Sequence, residues 1–133
     1  ELENILFTTK YEIDFAEYQM SFIKNLADKK NAKIHVMHAN FGTRLTEKQL
    51  QSKKELDNFF DETPHDFNSV YKDSVPEAIE EFNKEKPIDL LVMIKHRRSF
   101  IEKLLFNSII KEIGFNAKFP FLVLPTENYN PEN

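Results

Sequence analysis

The densest run of chemically capable side chains is Lys95, His96, Arg97 and Arg98. It lies between an apolar stretch, IDLLVMI (88–94), and an amphipathic one that opens on Ser99. Cations placed between a strand and a helix start suit an anion. A guanidinium offers a planar fork matched to phosphate, and the helix start adds its positive end. No glycine occurs in this run. Loops that cradle phosphate with backbone N–H groups need glycine for close approach and positive φ. An anion here would be held by side-chain charge instead. The competing expectation is a solvated basic loop that balances nearby Glu and Asp.

Other residues with chemical capacity carry simpler expectations. His35 and His38 spell H-x-x-H, but residues three apart in a strand point to opposite faces. With no cysteine and no clear carboxylate partner, no metal site is expected. His38 stands at the end of its strand, where it could touch a ligand. Asp57, Asp61 and Glu62 read as the solvated end of a helix, with nothing to pair them for acid–base work. Asp89 reads as shaping the turn into 88–94. Ser108 reads as bonding its own helix backbone. No catalytic residue is assigned, so the chain is not expected to be an enzyme, with slow nucleotide hydrolysis as the exception.

The elements that must position these groups follow from pattern. NILFTT (4–9) is a short apolar strand. Phe15, Tyr18, Phe22, Ile23 and Leu26 recur at helical spacing over about 14–30. AKIHVMHA (32–39) is a second strand. Thr46 and Gln49 form a capping box that opens a helix running to about Phe60. HDFNSVY (65–71) is a weaker, alternating strand. Ser74, Glu77 and Pro76 open a third helix, which stops before Pro87. IDLLVMI is almost continuously apolar, as in a parallel strand buried on both faces. Ser99 and Glu102 begin a last helix, with Gly114 as its stop. FPFLVLP (119–125) is a fifth strand, and Pro120 places it at an edge or marks its start. The alternation predicts a parallel sheet with helices on both faces.

Composition bounds the function. The 133 residues suit one domain, expected over 1–126 with a polar tail at 127–133. A net charge of −4 argues against a nucleic-acid-coating role. No apolar run approaches the roughly 20 residues that span a membrane. The absence of cysteine fits a cytoplasmic setting.

Taken together, NILFTT, AKIHVMHA, SVPEAIEEFNKEKPIDLLVMI and SFIEKLLFNSIIKEIGFNAKFPFLVLP resemble, in order and spacing, a universal stress protein domain. The resemblance implies a five-stranded, doubly wound, Rossmann-like α/β fold with strand order 3-2-1-4-5. It also implies dimers, often paired through the last strand. Members that bind ATP carry G-x-x-G, nine residues, then G-[ST] after strand four. In this register the glycines fall on Ile94, Arg97 and Asn107, and only Ser108 matches. The acidic residue that reads adenine falls at about Lys10, and the aliphatic residue after His38 is Ala39. A β-branched Ile94 resists positive φ and adds bulk, and an ammonium such as Lys10 has donors only.

The resemblance and these departures imply a dimeric regulatory or interaction module of the stress response. No cofactor is expected, and ATP or AMP is disfavoured. The alternatives are a nucleotide or phosphometabolite sensor that uses Lys95, Arg97 and Arg98, and one half of a tandem universal stress protein. The expected dimer surface is Phe119, Phe121, Leu122, Val123 and Leu124, since an edge strand of large apolar groups needs a cover.

Overall fold

The computed structural model describes residues 1–11, 17–40, 42–94, 111 and 119–124. The elements are β1 (Asn4–Thr8), α1 (Glu17–Lys30), β2 (Lys33–Asn40), α2 (Glu47–Phe59), β3 (His65–Tyr71), α3 (Val75–Glu85), β4 (Leu90–Ile94) and β5 (Phe121–Leu124). The helix expected from Ser99 and the tail at 127–133 lie outside the described residues.

The strands form one parallel sheet in the order β3-β2-β1-β4-β5. Alternate residues divide its core. Ile5, Phe7, Ile34, Val36, Val92 and Ile94 join Met20, Ile23 and Ala27 of α1 and Leu56 of α2. Leu6, Met37, Leu91 and Met93 join Ala78, Ile79 and Phe82 of α3. Side chains alternate across a strand, so α1 and α2 cover one face and α3 the other. As expected for a doubly covered strand, Leu91 to Ile94 are all buried.

Local signals place the ends. The Thr46 N–H donates to Gln49 Oε1 (2.8 Å), and the Gln49 N–H donates to Thr46 Oγ1 (3.1 Å). Ser74 Oγ accepts from the Glu77 N–H. Helix α1 closes in a Schellman turn: the Ala32 N–H reaches the Ala27 carbonyl (2.9 Å), with Asn31 left-handed at φ 56°. Pro120 directly precedes β5, an edge strand, and its carbonyl accepts from the Leu91 N–H. Asp89 Oδ2 accepts from the N–H groups of Glu3 and Asn4 (2.9 and 2.8 Å), which pins β4 to the start of β1.

One helical stripe is corrected. Met20, Ile23 and Ala27 are buried, with Gln19 beside them, whereas Tyr18 and Phe22 are 43% and 47% exposed. At 3.6 residues per turn, Tyr18 and Phe22 lie on the far side of α1 from Ile23 and Ala27. Counting large apolar residues overweights the two aromatics and misses the small Ala27.

Candidate functional site

In a doubly wound sheet the ligand crevice lies outside the carboxyl ends of the strands, where the strand order reverses. Here that point falls between β1 and β4, because β2 and β3 continue to one side of β1 and β5 to the other side of β4. The chain beyond β1 is tightly held. The Thr9 N–H extends the ladder to the Met37 carbonyl (3.0 Å). The Tyr11 N–H donates to Thr9 Oγ1 (3.1 Å), and Gln49 Nε2 donates to the Lys10 carbonyl (3.0 Å). His38 Nδ1 lies 3.3 Å from the Thr9 carbonyl, which can accept a hydrogen bond from it.

Tyr11 is the feature that pattern reading misses. Its φ is +58°, its side chain is only 2% exposed, and its ring lies 5.6 Å from that of His38. Burial pushes its phenol well above the ordinary range, so it stays protonated. It belongs to the buried cluster that contains Phe7, Val36, Ile94 and Leu124. The sequence carries no helical or strand periodicity at this position that would mark it.

The expected ligand residues separate into two groups. Lys10 is exposed just beyond β1, His38 and Ala39 are half-buried near the end of β2, and Ile94 is buried as the last residue of β4. These four lie at the carboxyl ends of β1, β2 and β4. Lys95, Arg97, Arg98, Asn107 and Ser108 lie outside the described residues. Of the expected dimer residues, Phe119, Phe121, Leu122 and Val123 are half-buried in their own chain. Leu124 is buried in its own core.

The histidines divide as their spacing predicts. His38 faces Tyr11 on the α1–α2 side, and His35 faces Phe82 of α3 (5.3 Å). The lack of a carboxylate for His35 is corrected. Register sets Asp66 opposite it, with Nδ1 to Asp66 Oδ1 at 2.9 Å. Nε2 lies 2.9 Å from Asn4 Oδ1. Asp66 also meets Lys33 Nζ (3.1 Å) and Asn68 Nδ2 (2.7 Å). Three strands are thus clasped at the amino ends of the sheet, away from the crevice. Among the described residues, no group of three His, Cys, Asp or Glu could hold a metal ion.

Asp57 is corrected too, because its Oδ1 lies 2.6 Å from His65 Nε2. His65 Nδ1 is 2.7 Å from the Thr63 carbonyl. Both ring nitrogens are engaged, so neither is free to act as a base. Burial opposes the charge on His65, but the Thr63 carbonyl and the Asp57 carboxylate outweigh it and hold the pKa above 6.5. A raised histidine pKa stabilises the fold fully below the unfolded value. That contribution is lost as pH rises through the folded value. Proton NMR is expected to show His65 titrating above 6.5, with Asp57→Asn lowering the midpoint; a midpoint at or below 6.5 in the unmodified chain would contradict the assignment.

Fold and crevice define a doubly wound, Rossmann-like α/β protein. Residues 40–125 match the universal stress protein family. The chain belongs to that family. Solved structures agree on the fold. A universal stress protein in complex with cAMP superimposes with a TM-score of 0.72 at 19% identity, covering 95% of this chain and 98% of that one. The Archaeoglobus fulgidus universal stress protein in complex with dAMP gives 0.63 at 16%, covering 94% and 98%. UspA from Lactobacillus plantarum gives 0.65 at 17%, covering 93% and 98%. No curated protein matches the sequence.

Proposed function

We propose that this chain is a dimeric, non-catalytic regulatory or interaction module of the stress response that does not use the family's usual ATP site. The observation that carries this reading is Ile94. It is buried as the last residue of β4, within the same cluster as Tyr11. A β-branched side chain committed to the core stands where the resemblance puts the first glycine of the phosphate loop. Lys10 adds to this, as a donor-only group where an acceptor for the adenine amino group is expected. The engagement of both nitrogens in His35 and in His65 supports a non-catalytic role.

Dimerisation through β5 is supported by its edge position and by the large apolar residues along it. A cytoplasmic setting is supported by the cysteine-free composition. Among the described residues, no helix is long and apolar enough to cross a membrane.

A second reading, a nucleotide or phosphometabolite sensor, is favoured by the neighbours solved with cAMP and dAMP and by the basic run Lys95–Arg98. Sedimentation velocity is expected to give a dimer that ATP leaves unchanged and that Val123→Lys converts to monomer. A monomeric unmodified chain would remove the β5 interface. An ATP-dependent change in sedimentation would favour the sensor.

A further inference from the structure

Tyr11 combines two features that are unusual together. Its backbone is left-handed, a conformation glycine takes freely and a bulky side chain resists. Its side chain is nevertheless among the largest fully buried ones. Asn31, with nearly the same φ, is explained by the Schellman turn that ends α1. Tyr11 ends no helix. It follows β1, one of the two strands that flank the reversal point of the sheet. Backbone strain of this kind persists where the surroundings hold it, and it concentrates at ligand sites.

Tyr11 shares a buried cluster with residues from four strands. Phe7, Val36, Ile94 and Leu124 supply apolar cluster members from β1, β2, β4 and β5. His38 supplies a tilted aromatic neighbour whose orientation is fixed by the Thr9 carbonyl. Apolar walls with one placed polar ring are what a flat heterocycle requires. The tyrosine is held there by backbone contacts. Thr9 Oγ1 takes its N–H, and Gln49 Nε2 holds the preceding carbonyl while Gln49 Oε1 caps α2.

We propose that Tyr11 is the resident occupant of a ring-binding site at the carboxyl ends of β1 and β2, and that it keeps a free planar heterocycle, a nucleobase above all, out of that site. This rests on the reading of the nucleotide crevice as closed, and it names the group that closes it. Gln49 is the latch, because the Tyr11 segment leaves the site only after the Gln49–Lys10 bond breaks.

The test is calorimetric titration of the full chain and of Tyr11→Gly with p-cresol, which reproduces the lost side chain, and with adenosine. Glycine suits the left-handed backbone, so the variant removes the ring without adding strain. The unmodified chain is expected to bind neither. Tyr11→Gly is expected to bind both, in competition for one site. Binding of p-cresol alone would make Tyr11 ordinary core and overturn the proposal, as would binding of neither.

Should Tyr11→Gly fail to fold, Gln49→Glu decides the question. Glutamate keeps an acceptor for the Thr46 N–H but cannot donate to the Lys10 carbonyl. It is expected to give a saturable adenosine isotherm where the unmodified chain gives none. The absence of one would overturn the proposal. The two readings fail separately. ATP binding by the unmodified chain sinks the closed-crevice reading. No adenosine binding by any variant, with none by the unmodified chain, sinks only the role of Tyr11.

Discussion

His35→Ala is expected to destabilise the protein by about 3 kcal/mol in chemical denaturation, with the native fold retained. His35 has no exposed surface, and both its nitrogens meet oxygen atoms at 2.9 Å. Removing the ring opens a cavity against Phe82 and leaves Asp66 Oδ1 and Asn4 Oδ1 facing it. Each loss is of order 1–3 kcal/mol, with partial collapse offsetting some of the sum. A loss under about 1 kcal/mol would show that the clasp does not tie β1, β2 and β3 together.

The clasp also has a pH sign. Burial pushes the His35 imidazole below its ordinary 6.5, with Asp66 opposing. As pH falls, the unfolded chain then takes up that proton before the folded one does. The stabilisation is complete above 6.5 and declines below it. Asp66 extends the decline. Burial resists its ionisation, but hydrogen bonds from His35, Asn68 and Lys33 outweigh this and hold its carboxyl below the ordinary 3.8. The stability gap between the unmodified chain and His35→Ala should therefore narrow on acidification from neutral pH. A gap that widens would reverse the assigned protonation.

Phe60→Ala is expected to lose about 3–5 kcal/mol, among the largest single effects in the chain. Phe60 is fully buried at the end of α2, with Phe59 and His65 edge-on at 5.9 Å each. Its ring joins α2 to the start of β3. Phe22→Ala, at 47% exposure, should change stability by no more than about 0.5 kcal/mol. Both phenylalanines sit on stretches with helical apolar spacing. Equal losses would mean that α1 packs with a different face inward.

That pair shows what the sequence makes legible. Signals contained within about a dozen residues are read well, because period, caps and breakers act locally. HDFNSVY is a strand from end to end, Thr46 and Gln49 form their capping box, and the apolar run before Lys95 is buried on both faces. The strand order agrees with the one the resemblance implies. What escapes is set by contacts between different elements, which no period, cap or breaker states. Asp66 meets His35 because β2 and β3 pair in one register, and no local signal states that register. Asp57 meets His65 across a turn. Tyr11 looks like a loop residue in the sequence, and the chain fold that buries it depends on Thr9 and on Gln49, 38 residues further on. The residues proposed to close the crevice are therefore legible only in part. Ile94 and Lys10 stand out by their types, whereas Tyr11 stands out by its position.

Calorimetric titration of the unmodified chain with ATP and Mg²⁺ bears most directly on the central claim that this family member has a closed nucleotide crevice. Micromolar binding would release about 8 kcal/mol of free energy and give a saturating isotherm. The account predicts no saturable binding, with Ile94 and Tyr11 filling the carboxyl ends of β4 and β1. A micromolar isotherm would contradict it.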